Sequence, residues 1–210
     1  LPGAMAPETA EAGMPAPEHP RLRVVGVLGD HYVLLEAVDG LVLMDPRAAR
    51  ARVLYEALLK KSEGESLEKQ GLLVPLLLEL EPRDHEMVRA NLDNFRAAGL
   101  ELEDFGGQTV QVSAVPALLG EGDSRRLVTD LIDELVASEG ARRGRAQAYE
   151  AFAERVARLG ARGEPCRVEN AKGLLEELFA CDLPYCAPDG KPTLVQLGLS
   201  ELDRKFGKNS

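Results

Sequence analysis

Three short apolar segments separated by two tight turns constrain the fold more than any other feature of this sequence. The valine-rich segment 22–28 runs into Gly29-Asp30. The segment 31–38 runs into Asp39-Gly40, a dipeptide that tolerates positive φ at both positions, and 41–44 is the third segment. We therefore expect an antiparallel meander of three strands near the start of the ordered chain.

Helical patterns follow the meander. Asp45 can cap a helix whose first residue is Pro46, and the pattern predicts a helix from there to about Lys61. Further helices are predicted at 82–98, around 127–135, and at 145–159, 168–180 and 200–206, the last with Ser200 as a possible cap. Strands are predicted at 72–80, 100–105, 108–112 and 193–199. Hairpins combined with helices in this way indicate an α+β fold.

Predicted breaks at 62–69 and 140–144 bracket a central unit of the chain. We expect two lobes: 21–66 and 141–207, from both chain ends, would form one, and 67–140 an inserted central α/β lobe with a regulatory role. Residues 1–20 are rich in Pro, Ala and Glu without an apolar stretch, and we expect a disordered remnant of a linker there.

Charge and composition limit the function classes. The net charge of -10 would repel free DNA, so only weak or local DNA contact is expected. Three cysteines in 210 residues favour reduced thiols and a cytoplasmic location over a disulfide framework. The sequence has no apolar run long enough for a membrane span, no signal-peptide pattern and no P-loop.

Four stretches of the sequence carry motifs that resemble those of one known protein family. Residues 45–56, DPRAARARVLYE, are similar to that family's D-Q-H-A-x-x-E-x-x-x-x-E, and 70–75, QGLLVP, match its Q-x-L-[LI]-x-P. The third stretch is LELEDFGG at 100–107, followed by VPALL at 115–119. Residues 187–193, APDGKPT, are similar to C-P-H-G-R-P-T. Together these stretches resemble the C-terminal dimerisation domain of MutL, a family of DNA mismatch-repair proteins, from about residue 21 to residue 206.

The resemblance implies a nuclease motif whose metal donors are mostly missing. Nicking members of the family hold metal ions with carboxylate, His and Cys ligands. Here Asp45 and Glu56 remain, whereas the positions of the other donors hold Arg47, Ala51, Ala187 and Asp189. The family's A-C-H element falls on 155–157, or near Cys166 with Arg167 after it. We therefore expect no metal, no cofactor and no catalytic residue, with Asp45 as a helix cap and Glu56 as a solvated carboxylate.

Other interpretations of these residues stay open. The arginines of this region could cluster and contact phosphate, or they could be solvated or salt-bridged: Arg47, Arg50, Arg52 and Arg155. Cys181 and Cys186 could bind a metal with Cys166, but ordinary thiols are favoured. The alternative function is a residual metal-dependent endonuclease that uses Asp45, Glu56, Asp189 and a Cys. A third hypothesis is an unrelated acidic α+β scaffold.

The match at 70–75 implies that the domain binds the replication sliding clamp. The residues concerned are Gln70, Leu72, Leu73 and Pro75. Such a peptide inserts apolar side chains into a pocket, and Pro75 biases the residue before it to extended geometry. From the residues alone, a plain buried strand is the competing interpretation.

The resemblance also implies a homodimer, for which the strands at 22–44 and 193–199 are candidate contributors. The family carries an N-terminal ATPase on a Pro-rich linker, to which ATP and Mg would belong. Further expected partners are a mismatch sensor, a helicase and a separate nuclease, at the nucleoid of a bacterial cytoplasm.

Overall fold

The computed structural model describes residues 22–62, 68–119, 123–137, 145–162 and 165–208, without the side chains of residues 61, 62, 118 and 145–147. The predicted linker remnant at 1–20 and most of the predicted breaks at 62–69 and 140–144 lie outside the described residues.

The first sheet contains the predicted meander. Strands β1 (Arg23–Leu28), β2 (Tyr32–Ala37) and β3 (Gly40–Met44) pair antiparallel, as predicted. Strand β7 (Leu194–Gly198) joins antiparallel to β3, so the sheet order is β1-β2-β3-β7. Residues from both parts of the chain thus build one sheet.

Gly40 makes this pairing possible. A Cβ atom built on Gly40 would lie 2.2 Å from the carbonyl oxygen of Leu197 on β7. Since no real Cβ contact is that short, the close approach of β7 requires glycine at the start of β3.

The second sheet is built from the middle of the chain. Strands β4 (Lys69–Glu79), β5 (Glu101–Gly106) and β6 (Thr109–Pro116) are antiparallel in the order β4-β6-β5. The β5–β6 hairpin turns at Gly106 and Gly107, both with positive φ, as the sequence predicts.

The helices agree with the prediction to within a few residues. They are α1 (Pro46–Ser62), α2 (Pro82–Ala97), α3 (Ser124–Ala137), α4 (Arg145–Gly160), α5 (Val168–Phe179) and α6 (Leu199–Lys205). The prediction of Ser200 as a helix cap is wrong. Helix α6 begins one residue earlier, with Gly198 at the cap position and no side-chain hydrogen bond there.

Two apolar clusters form the core. One packs α5 and Ala49 of α1 against a single face of the first sheet, with Val33, Leu35 and Met44 fully buried. The other packs the second sheet against α2, α3 and α4, together with Leu54 and Leu58 of α1. Helix α1 therefore contributes to both clusters, and α4 shares a core with the central strands. The α+β class is confirmed, while the lobe boundaries stay a prediction.

None of the helices in the part of the chain that the structure describes is long and apolar enough to cross a membrane.

Candidate functional site

The first residue of the nuclease-like motif caps a helix. The Asp45 Oδ1 atom accepts hydrogen bonds from the backbone N–H groups of Arg47 (2.8 Å) and Ala48 (3.2 Å). The backbone N–H of Asp45 donates to the carbonyl oxygen of Thr193 at 2.9 Å, which joins the cap to the segment before β7. The predicted role of Asp45 as a helix cap is confirmed.

Glu56 is buried, and the prediction of a solvated carboxylate is wrong. Only 7% of its surface is exposed. Its Oε2 accepts the backbone N–H of Asp182 at 2.8 Å, and its Oε1 accepts that of Leu183 at 3.2 Å. One carboxylate on α1 thus holds the segment that follows α5.

Arg52 is the buried cation beside Glu56. Its Nη1 lies 3.6 Å from Glu56 Oε1, one helical turn away, and its Nε donates to the carbonyl oxygen of Cys186 at 2.6 Å. The guanidinium also lies over the ring of Tyr55, 5.5 Å from its centroid. Arg52 is therefore a structural residue, which excludes it from the arginine cluster that the sequence left open.

Three positions at which the nicking members of the family have metal ligands hold Ala51, Ala187 and Asp189 here, and none of them offers a free ligand. Ala51 and Ala187 are buried apolar residues. The Asp189 carboxylate pairs with Lys191, whose Nζ lies 2.7 Å from Oδ2, and this hydrogen bond holds the pKa of Asp189 below its usual value.

The cysteine thiols of this region are free, and two of them have raised pKa values. Burial, reinforced by the nearby Glu56 carboxylate, raises the pKa of Cys181 to about 11. Burial also raises the pKa of Cys166. Since the thiolate is the form that ligates metal, neither environment favours a ligand. The Cys186 Sγ lies 3.6 Å from Nη2 of Arg52.

The residues of this region do not fit the metal that the nicking members of the family use. No group of three His, Cys, Asp or Glu residues in the described ranges is placed to hold an ion. Two donor positions are alanine, Asp189 is neutralised by Lys191, and Glu56 already accepts two N–H groups beside Arg52.

Arg47 lies apart from Arg52, in a cleft of about 480 Å³. The cleft lies between the first turns of α1 and α3 and the end of α4, and Arg126 and Arg162 also line it. Arg47 makes no ion pair with any residue that the structure describes.

The clamp-like segment lies on an exposed edge of the second sheet. Strand β4 is an edge strand, and its pairing with β6 jumps from Gly71 opposite Ala114 to Leu76 opposite Val112, so the residues between them bulge out of the ladder. Leu73 and Val74 there are 103% and 76% exposed. The plain buried strand that competed with the clamp interpretation is therefore wrong for this segment.

The four predicted clamp residues do not all point outward. Gln70, Leu73 and Pro75 are exposed. Leu72 is half-buried and packs against the core of the second sheet. The structure thus offers three of the four side chains to a partner in this conformation.

One face of the first sheet carries apolar side chains, and none of the helices in the described ranges packs on it. Residues opposite in the ladder share a face, and Val33, Leu35, Val42 and Met44 point to the covered one. The other face therefore presents Leu34 and Leu43 in the middle, with Val195 and Leu197 on β7 and Leu28 and Tyr32 at one end. Val195, Tyr32 and Leu28 are 47%, 46% and 56% exposed. We call these six residues the open sheet face.

The sequence reasoning missed the Arg52–Glu56 pair. The signal was present, because Ala49, Val53 and Glu56 recur at spacings of four and three residues, which places Glu56 on the buried face of α1. A carboxylate on such a face needs a charged or hydrogen-bonding partner, and the arginine four residues before it was the obvious one.

Fold and surfaces together define an α+β interaction domain with an apolar sheet face open to solvent. Residues 25–163 match the family model described as the MutL C terminal dimerisation domain, and the chain belongs to this family.

Relatives agree with the family model. DNA mismatch repair protein MutL of Akkermansia muciniphila is 39% identical over 183 residues, 87% of this chain and 29% of that protein. The MutL proteins of Sphingopyxis alaskensis and Symbiobacterium thermophilum are each 35% identical, over 96% and 88% of this chain and 34% and 30% of their own lengths. The chain thus spans about a third of the length of these relatives.

Proposed function

We propose that this domain joins two copies of a MutL protein through the open sheet face. The observation that carries the proposal is that both faces of one sheet are apolar and that the helices among the described residues cover only one of them. Contiguous apolar side chains on an exposed face are a mark of interaction sites. A sheet face can be self-complementary about a twofold axis, which is the commonest symmetry of homodimers.

Sedimentation velocity at micromolar concentration tests the dimer. Val195→Asp puts a carboxylate on the open sheet face, beside Leu43 at its middle, and should shift the chain to a monomer. Leu77→Asp is the matched control, since Leu77 on β4 is 48% exposed and Val195 is 47% exposed. A monomeric wild type, or a V195D variant that stays dimeric, would refute this proposal.

We also propose that the edge of β4 docks on a bacterial replication sliding clamp. The support is the exposure of Leu73 and Val74 at a bulge, where the backbone is released from the ladder and can extend into a partner's pocket. Adjacent exposed apolar side chains on an unpaired strand edge are a feature of surfaces that bind a partner. Binding should be weak because the segment is short.

Interferometry on an immobilised clamp tests this contact. The double variant Gln70→Ala/Leu73→Ala should lose binding, and because both side chains are exposed it should keep the melting temperature of the wild type. Val38→Ala is the control, since Val38 is an apolar residue that is 90% exposed and lies outside the motif, on the first sheet's hairpin turn. Undiminished clamp binding by the double variant contradicts the assignment.

We propose further that the domain has no metal and no nuclease activity of its own. The alanines at two donor positions and the occupied Glu56 and Asp189 carboxylates support this over the residual endonuclease. Incubation with supercoiled plasmid and Mn²⁺ tests this proposal. Nicking activity that co-purifies with the protein and is lost in Asp45→Asn would support the residual endonuclease instead. The N-terminal ATPase with its ATP and Mg, the repair partners and the cytoplasmic location stay predictions.

A further inference from the structure

The cleft that contains Arg47 is basic in a domain that is acidic as a whole. Three arginines line it, from the start of α1, the first turn of α3 and the residues after α4: Arg47, Arg126 and Arg162. Two carboxylates, Asp123 and Asp130, lie among them, so the lining residues that the structure describes carry an excess of positive charge in a chain of net charge -10. This contrast between a basic cleft and an acidic chain marks the cleft as a candidate site for an anionic ligand.

The two carboxylates leave most of the arginine donors unused. The side chain of Asp123 is engaged by the backbone N–H of Arg126 at 3.0 Å, as a cap of α3. Asp130 is shared, lying 3.9 Å from Nε of Arg126 and 3.7 Å from Nη1 of Arg162. Those distances are near the limit of an ion pair, and the Arg126 and Arg162 side chains are 77% and 52% exposed. Each guanidinium has five N–H donors, so both can bind a further oxyanion.

Apolar residues also line the cleft: Leu119, Leu127 and Leu159. Gly160 lets Leu119 approach closely, since a Cβ there would lie 2.2 Å from a methyl group of Leu119. A small site lined by both leucines and arginines suits a ligand that presents a phosphate and a deoxyribose, because Arg binds phosphate oxygens in a forked geometry.

The geometry points to a phosphate-binding site for the DNA backbone at Arg47, Arg126 and Arg162. This site is independent of the dimer and of the clamp contact, because none of its residues belongs to the open sheet face or to β4. This site also differs from the arginine cluster that the sequence left open. Arg52 is buried elsewhere, and two of the three arginines of the site, Arg126 on α3 and Arg162 just after α4, were not in that cluster.

Fluorescence anisotropy with a short labelled duplex in about 50 mM salt tests the site. The full chain should bind. Arg47→Ala and Arg126→Ala should each weaken binding roughly fivefold to tenfold and make the slope of log K against log salt less negative by about 1. Arg96→Ala is the matched control, because Arg96 is an exposed arginine on α2 that pairs with Asp93 as Arg126 pairs with Asp130. It should leave both the affinity and the slope unchanged.

Titration with inorganic phosphate and with a deoxynucleoside monophosphate, followed by amide NMR shifts of the cleft residues, distinguishes the source of the phosphate. Shifts with duplex DNA that vanish in Arg126→Gln support the backbone assignment. Shifts with the monophosphate alone overturn it in favour of a free nucleotide. Absence of DNA binding by the wild type, or an equal loss in Arg96→Ala, overturns the site. The dimer and clamp experiments read other surfaces, so their outcomes do not decide this one.

Discussion

Removal of the Arg52 guanidinium should destabilise this domain more than any change at an exposed arginine. The side chains of Arg52 and Glu56 are only 6% and 9% exposed, with Nη1 and Oε1 3.6 Å apart. Arg52→Met keeps much of the side-chain volume and removes the charge. The carboxylate of Glu56 then stays buried without its cation, which is the costly outcome for a buried pair.

The magnitude follows from what remains around Glu56. Breaking a buried pair costs about 3–5 kcal/mol, and Glu56 keeps two backbone N–H donors, from Asp182 and Leu183, which offset part of that. The Cys186 carbonyl loses its hydrogen bond from Arg52, worth about 1–2 kcal/mol. We expect a loss of about 3–4 kcal/mol in the free energy of unfolding, which corresponds to roughly 10 °C in melting temperature for a domain of this size.

Urea unfolding at one fixed protein concentration measures this, because dimerisation makes apparent stability depend on concentration. Arg96→Ala is the control and should change stability by less than about 0.5 kcal/mol, since its pair with Asp93 is exposed. The double variant Arg52→Met/Glu56→Gln should be at least about 1 kcal/mol less destabilised than the sum of the single variants, because no charge is left buried. A loss below about 1 kcal/mol for Arg52→Met, or strict additivity, would refute the reasoning.

Two further predictions concern single atoms. Gly40→Ala should lower the free energy of unfolding in urea by about 2 kcal/mol or more, because its Cβ would lie 2.2 Å from the Leu197 carbonyl oxygen. Gly26→Ala is the control and should cost less than about 1 kcal/mol, because there is open space around Gly26. Equal costs would contradict the close approach of β7. The pKa of Cys181 is raised to about 11, so the folded state holds the thiol proton more tightly than the unfolded state does. The stability that this thiol contributes is complete below the ordinary thiol pKa of 9.0 and is lost as the pH rises towards 11. Alkylation of Cys181, followed by peptide mass spectrometry, should therefore rise with a midpoint near pH 11, and a midpoint near pH 9 would contradict the buried environment.

The sequence predicted the elements well because their signals are local. Asp39-Gly40 and Gly106-Gly107 are turn dipeptides, and both hairpins form at these residues. Asp45-Pro46 is a helix start, and α1 begins there with the predicted cap. The failure at Ser200 is also local, since α6 begins directly after β7 and leaves no residue between strand and helix for a side-chain cap.

The site was less predictable because its contacts join residues far apart in sequence. Glu56 was expected in solvent, and its partners Asp182 and Leu183 lie 126 and 127 residues later. Likewise, no spacing in the sequence brings Arg47 to Arg126 and Arg162, which line one cleft only because the starts of α1 and α3 and the end of α4 lie together in the fold. The exposure of Leu73 could not be read from an apolar run either, since it depends on where β4 leaves its pairing with β6.

The strands of the first sheet posed a different problem, because both of their faces are apolar. Alternation along β2 gives Val33 and Leu35 to one face and Leu34 to the other, and no period-2 pattern can say which face a helix will cover. The position of α1 and α5 decides this, and these helices pack on only one face of the sheet. A second copy would cover the other apolar face. Six partly exposed apolar side chains per copy, at about 1 kcal/mol each, give on the order of 10 kcal/mol for two copies, and the entropic cost of association cancels much of this gain. Because the remaining surplus is small, a single carboxylate at Val195 should be enough to separate the two copies.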